Sequence, residues 1–336
     1  MGYTWGVGKT RWAWSVGVVL SLVVVACSGG GDGDEGSAPG EDEAEPQGDV
    51  EAPVVEEISI VVEDEELGEL TFGALAAGDP EDELVLLLHG FPETGESYRE
   101  VLPELAAAGR YAVAPDQRGY SPGARPPDVA DYGILRLVAD VAAMATELGA
   151  EEFDLVGHDW GGGVAWVTAA VHPDRVRTLS VLSTPHPDAL AAAFTVPGSE
   201  QPELSSYVDV FERPGSEQTF LPRETFVAAF TSSGVPVEKA EAYADVLATE
   251  DALRAALNWY RATPIRSSPG LGPITVPTLY VWGTDDLALG RTAAEATGDF
   301  VDAPYEFVAV EGGSHWLPET EPAEMADLIL AQLARA

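Results

Sequence analysis

The sequence predicts an α/β fold, a mostly parallel, doubly wound sheet with an inserted helical cap. Three observations predict it. Short apolar runs of strand length, such as Leu84–Leu88 and Phe153–Val156, alternate with helical segments through the first part of the chain. That alternation stops after Ser183-Thr184-Pro185-His186-Pro187, and Ala- and Glu-rich helical stretches run on to about Pro273. Strands then resume at Thr278–Trp282 and Tyr305–Val310.

The first residues lie outside that fold. Lys9 and Arg11 form a short basic region, and Trp12–Val25 is a mostly apolar run of about 14 residues. Such a run is too short for a comfortable membrane span and suits the apolar core of an export signal. Val24-Val25-Ala26-Cys27 resembles a bacterial lipobox. Residues 1–27 are therefore expected to be a lipoprotein-type signal, with lipidated Cys27 tethering an exported protein to a membrane of the cell envelope. An ordinary secretory signal with an incidental cysteine is the alternative. Cys27 is the only cysteine, so no intrachain disulfide can form.

Residues 28–57 read as a linker, with eleven acidic residues, no basic ones, and scattered Gly, Pro and Ser. Too little apolar surface is present to order such a segment, and its charges extend it. The remainder divides into a first core part (58–186), the cap (187–273) and a second core part (274–336). Seventeen Lys and Arg against 57 Asp and Glu give a formal charge of −40, and only Lys9 and Lys239 are lysines. This charge argues against nucleic acid or an anionic lipid surface as partner. Oligomeric state is not written in the pattern.

Within the body, Ile58–Val62 and Leu70–Ala76 read as opening strands. The near-continuous apolar run in Glu83–His89 is that of a buried parallel strand. A helical pattern over Ser97–Ala108, a strand at Tyr111–Ala114 and a long helix over Tyr132–Leu148 follow. Next come the strand ending at Val156, a helix from Gly163 to Val171, and the strand Thr178–Leu182. In the cap, Pro222–Phe230 and Val237–Ala248 read as helices, and Pro322–Ala334 is the closing helix.

Gly157-His158-Asp159-Trp160-Gly161-Gly162 sits between a buried strand and a helix. A side chain on so sharp a turn stands exposed above the sheet, and the small neighbours let backbone and helix close up. Amide groups at the new helix N-terminus favour negative charge there. Asp159 is thus a candidate nucleophile for an electrophilic carbon. Two further candidates follow later strands: Asp286, in Gly283-Thr284-Asp285-Asp286, and His315, in Glu311-Gly312-Gly313-Ser314-His315-Trp316. Functional groups of open α/β sheets gather at the carboxyl ends of the strands. The order nucleophile, acid, histidine is that of α/β-hydrolase triads. Asp286 is preferred as the acid on its spacing from Gly283, with Asp285 as its rival.

His89-Gly90-Phe91-Pro92-Glu93 follows the strand Leu84–Leu88. In this arrangement the loop supplies one oxyanion-binding N–H and the residue after the nucleophile the other, here Phe91 and Trp160. Arg118, in Asp116-Gln117-Arg118-Gly119-Tyr120, reads as a structural cation bracing loops against a carboxylate.

These segments together resemble the epoxide hydrolases of the α/β-hydrolase fold, from about Ile58 to the C-terminus. The resemblance extends into the cap. Asn258-Trp259-Tyr260-Arg261 is similar to the segment bearing one of that family's two ring-opening tyrosines, and Ser206-Tyr207-Val208-Asp209-Val210-Phe211 to the segment bearing the other. It implies attack by Asp159 on an epoxide carbon, with Tyr207 and Tyr260 donating to the ring oxygen. A phenol, with a reference pKa of about 10, is still protonated where a carboxylic acid is not. His315, held by Asp286, would then activate water against the resulting ester. Aromatic side chains at Phe91, Trp160, Trp259 and Trp316 suggest an apolar pocket, with Trp259 and Trp316 in its wall and a small lipophilic epoxide as substrate. No cofactor is implied. The five histidines show no His-Glu-x-x-His spacing, so no metal is expected.

Haloalkane dehalogenases are the nearest alternative, since they share the elbow. Members of that family often place an asparagine after the His-Gly of the oxyanion loop; here that residue is Phe91, and Asn258 is the only asparagine. From another class, a tethered binding protein that kept the fold and lost turnover is the second alternative.

Overall fold

The apolar runs pair into one eight-stranded sheet. The computed structural model describes residues 53–335; the signal, Cys27 and residues 28–52 of the linker lie outside the described residues. The strands are β1 (Glu56–Asp64), β2 (Gly68–Ala77), β3 (Glu83–Leu88), β4 (Arg110–Pro115), β5 (Phe153–His158), β6 (Val176–Leu182), β7 (Thr278–Gly283) and β8 (Tyr305–Val310). Their order is β1-β2-β4-β3-β5-β6-β7-β8. The β1–β2 and β2–β4 pairs are antiparallel and all the others parallel. From β3 the chain winds out to β4 on one side and returns to β5 on the other. The carboxyl ends of β3 and β5 therefore meet at the centre of the sheet, where a doubly wound fold gathers its ligands.

Both faces are covered. Val85, Leu87, Ala112, Ala114 and Val156 pack beneath α1 (Leu102–Ala107) and the C-terminal helix, through Leu102, Leu105, Met325, Ile329 and Leu333. The alternate residues Leu84, Leu86, Leu88, Val113 and Leu155 face the other way, against α2 (Ile134–Glu147) and α3 (Asp159–Val171). This period-two division lets strands buried on both sides read as unbroken apolar runs.

Between β6 and β7 the chain is helical: α4 (Pro187–Ala193), α5 (Gln201–Leu204), α6 (Val208–Phe211), α7 (Arg223–Ser232), α8 (Val237–Leu247) and α9 (Glu250–Ala262). The closing helices are α10 (Arg291–Ala296), α11 (Leu317–Thr320) and α12 (Pro322–Leu333). Buried Arg118 meets Asp140 at 2.7 Å and Asp64 at 2.9 Å, bracing its loop against α2 and the end of β1.

Most element ends fall within two residues of the expected ones, and three differences have a clear physical cause. β1 begins at Glu56 because Glu56 and Glu57 already pair with Ala76 and Leu75. The stretch expected as one helix over Ser97–Ala108 divides into a 3-10 turn at Gly95–Tyr98 and α1. Pro103 enforces the division, since it has no N–H for a helix interior and is tolerated only in a first turn. The third difference is at the elbow, where the helix starts at Asp159 and not Gly163.

Candidate active site

Asp159 is held in a conformation that few non-glycine residues adopt, with φ of +46°. Its surroundings enforce it. A Cβ on Gly161 would lie 2.2 Å from the Leu88 carbonyl oxygen, and one on Gly90 would lie 2.4 Å from the Asp159 Cβ. Those two glycines let α3 and the β3 loop close around the nucleophile position. The Thr184 hydroxyl donates to the Asp159 carbonyl oxygen at 2.7 Å and fixes the turn from the β6 side.

Asp159, His315 and Asp286 come together at the ends of β5, β8 and β7. His315 Nε2 lies 3.5 Å from Asp159 Oδ2, and His315 Nδ1 lies 2.9 Å from Asp286 Oδ2. The other Asp286 oxygen accepts the N–H groups of Ala288 and Leu289 at 2.8 and 2.9 Å. Asp285 is exposed and meets the site only through its backbone, donating to the Gly313 carbonyl. The Phe91 N–H donates to Asp159 Oδ1 at 2.9 Å, so one candidate oxyanion donor already faces the reacting carboxylate. Trp160 occupies the next position, in the first turn of α3.

Burial opposes the Asp159 charge, but the hydrogen bond and charge of His315, the charge of His158 and the Phe91 N–H carry its carboxyl below the usual range. Burial likewise opposes a charge on His315, yet Asp286 and Asp159 hold its imidazole well above the ordinary histidine range. The pair therefore rests as carboxylate and imidazolium.

Asp159 opens into a cavity of about 300 Å3 between sheet and cap, which Tyr207 and Tyr260 also line. Their ring centroids lie 6.4 Å apart. Burial, with the charges of Asp159 and Asp286, pushes the Tyr207 phenol far up; burial, with Tyr207 and Asp159, does the same to Tyr260. Both hydroxyls keep their protons. Trp160 lines the cavity, and Ile134, Val167, Leu190, Ile265 and Leu289 make much of its remaining wall.

Two aromatic residues expected in that wall are elsewhere. Trp259 is buried behind Trp160, its Nε1–H donating to the Arg118 carbonyl at 2.8 Å. It neighbours Tyr260 on α9, about 100° round the helix, so when Tyr260 faces the cavity Trp259 faces the core. Trp316 packs edge-on against the His315 ring and donates to the Ser233 carbonyl at 2.9 Å. Both indoles are turned by the acceptor that a buried N–H requires. Phe91 also keeps its ring out of the wall, against Phe211, Phe220, Phe230 and Tyr260.

Known proteins similar to this chain give its family. A family model of the alpha/beta hydrolase fold matches residues 83–322. Epoxide hydrolase A of Mycobacterium tuberculosis is 31% identical over 296 residues, covering 76% of this chain and 91% of that protein. Epoxide hydrolase 4 of Mus musculus is 32% identical over 280 residues, covering 79% and 76%. The chain belongs to the epoxide hydrolases of the α/β-hydrolase fold. Among solved structures, an epoxide hydrolase of this superfamily from hot-environment metagenomes superposes with a TM-score of 0.73 at 27% identity, over 83% of this chain and 99% of that one.

One pair in this epoxide hydrolase escapes sequence reasoning. Directly before the nucleophile, His158 is fully buried with Nδ1 2.9 Å from Glu93 Oε2, and that oxygen also accepts the Gly90 N–H at 2.7 Å. Both residues stand inside the two motifs that frame the site, but 65 positions apart, and only the fold joins them.

Proposed function

We propose that this epoxide hydrolase opens lipophilic epoxides in two steps, through a covalent ester on Asp159. One observation carries the reading: an ionised carboxylate paired with His315 faces two protonated phenols across a single largely apolar cavity. In the first step Asp159 Oδ attacks a ring carbon, the carbon–oxygen bond breaks, and Tyr207 and Tyr260 hydrogen-bond the developing alkoxide and deliver its proton. Esterification removes the charge of Asp159, one of the two anions that hold the His315 proton. His315 then gives up that proton, which restores the phenol spent in the first step, and as a neutral base takes a proton from water, whose oxygen attacks the ester carbonyl carbon. The N–H groups of Phe91 and Trp160 bind the oxyanion. Collapse expels the alkoxide, which takes the second water proton from the new carboxyl and leaves as a vicinal diol, regenerating the carboxylate beside the imidazolium.

Among the described residues, no charged group other than Asp159 lines the cavity, which supports a neutral, lipophilic substrate, since burying an unpaired charge is costly. The test uses aryl and aliphatic epoxides beside matched haloalkanes, with diol and halide followed together. Diol that disappears in Asp159→Asn supports the scheme. Halide release without diol overturns it in favour of dehalogenation.

We also propose, from the lipobox-like Val24–Cys27 alone, that the enzyme is exported and tethered through lipidated Cys27. Cys27→Ser should move it from the membrane fraction to the soluble one; an unchanged distribution would remove the proposal.

A further inference from the structure

The return from the cap to the sheet is built unlike the rest of the cavity wall. From Thr263 to Pro277 the chain has no helix and no strand, only an isolated bridge from Ile274 to Val301. Its Ser267, Ser268 and Pro269 line the cavity, yet all three are exposed. Ile265 and Leu271 pack against the core on either side, but Ser267-Ser268-Pro269-Gly270 between them has no large apolar side chain with which to fix its own shape.

One buried carboxylate holds that segment instead. Asp188, in the first turn of α4, accepts the Ser268 hydroxyl at 2.5 Å and the Gly270 N–H at 2.9 Å on Oδ1, and the Leu271 N–H at 3.1 Å on Oδ2. Among the described residues, the other charged tie from the 263–272 stretch is Arg266, in an exposed ion pair with Asp209 and over the Phe194 ring. Exposed pairs of that kind contribute little. Burial opposes the Asp188 charge, but these donors, with His186 beside it, carry its carboxyl below the usual range. Its neighbours Pro187 and Leu190 line the same cavity, so the tether joins two walls of one space.

We propose that Asp188 is a specificity-determining positioning residue: by tethering the 268–271 loop it sets the width of the cavity and thereby which epoxides are accepted. The proposal rests on reading this cavity as the epoxide site. Asp188 touches no reacting atom, so its loss should act on binding and selection and leave the chemical step.

The test compares wild type with Asp188→Ala, Asp188→Asn and Ser268→Ala on styrene oxide and on the wider trans-stilbene oxide. In Asp188→Ala, KM for styrene oxide should rise about tenfold, and the ratio of kcat/KM for stilbene oxide over styrene oxide should rise by a similar factor. Its kcat for styrene oxide should stay within about threefold of wild type. Asp188→Asn, which keeps the acceptor on one atom only, and Ser268→Ala should fall between, and the Ser268 change should add little on top of Asp188→Ala. An unchanged ratio with both substrates weakened alike would overturn the proposal and leave Asp188 a folding residue. Equilibrium dialysis of biphenyl against benzene reads the same wall without turnover. If wild type hydrolysed neither epoxide the functional reading would fail, and this binding ratio would still decide the tether: a rise in Asp188→Ala supports it, no change overturns it.

Discussion

The ring of His158 lies 5.0 Å from that of His315, and its Nε2 reaches the His315 main-chain carbonyl at 2.8 Å while its Nδ1 meets Glu93. Both ring nitrogens thus face acceptors and both must donate, which makes His158 an imidazolium. Burial opposes that charge, but Glu93 restores it and raises the His158 pKa. A fully buried ion pair therefore sits directly beneath the nucleophile and fixes the backbone that carries His315.

Removing one member of that pair strands the other. His158→Gln should cost about 3–5 kcal/mol, because Glu93 is left as an uncompensated buried charge. The double variant Glu93→Gln/His158→Gln should recover much of that loss, since two neutral amides can bond one another. Urea midpoints of the two single variants and the double variant check this. Full additivity of the single losses would mean that the two residues are not an ion pair.

Glu319 makes stability depend on pH. It is buried on α11, accepts the Tyr243 hydroxyl of the cap at 2.8 Å, and leaves its second oxygen unpartnered. The charged or titratable groups around it are Glu93, His158, Tyr98 and Tyr243. Burial, then the charge of Glu93, push its carboxyl from 4.5 up to about 8. Below the lower value folded and unfolded chains both hold the proton. Between the two the unfolded chain releases it and the folded chain keeps it, so this group makes stability fall as pH rises across that window. Glu319→Gln mimics the protonated acid and should remove this fall. Its advantage over wild type in urea midpoint should be small near about pH 5 and largest near about pH 8. A constant difference across that range would show that Glu319 does not titrate there.

Much of this architecture was legible because it rests on contiguous residues. Leu84–Leu88 announces a buried strand by composition alone, and Asp159 is marked by the small residues on both sides of it. The helix start at Asp159 is hidden in the sequence because Gly161, Gly162 and Gly163 are poor helix formers. In the fold the first two serve close packing, and α3 runs through them from Asp159. The places of Trp259 and Trp316 are hidden for a different reason. Composition says that an indole is buried, but which wall it joins depends on a carbonyl supplied by Arg118 or Ser233, far away in sequence. Asp188 carries no mark in the sequence on the same ground: its partners lie 80 to 83 positions on, in a loop with no pattern of its own.

The placement of Trp259 separates stability from substrate binding. Trp259→Phe removes the indole donor from the buried Arg118 carbonyl, and an unmade buried hydrogen bond costs about 1–3 kcal/mol. Because this side chain is not in the cavity wall, KM should change little. Trp160→Phe should do the reverse, shifting KM with a smaller change in melting temperature. Parallel kinetics and thermal unfolding of the two variants check the contrast. A large KM change in Trp259→Phe would place its indole back in the wall.

His315 gives the two chemical steps different pH dependences. Alkylation needs Asp159 ionised, and its carboxyl lies below the usual range, so that step should be flat across neutral pH. Ester hydrolysis needs His315 without its proton. Esterification deletes the Asp159 charge and leaves Asp286 as the anion holding that proton, so the His315 pKa should drop in the intermediate. Hydrolysis of the ester should therefore climb with pH through that lowered value and then level off. In His315→Gln alkylation should persist while hydrolysis slows by about 10²–10⁴, the usual contribution of a general base. Asp286→Asn should move the climbing limb to lower pH, because the remaining anion is gone, and should reduce its plateau as the ring loses its orientation. Rapid-quench mass spectrometry of the Asp159 adduct measures both steps separately. If alkylation showed the same limb as hydrolysis, the group that must lose its proton would act before the ester forms, and His315 could not be assigned to the second step alone.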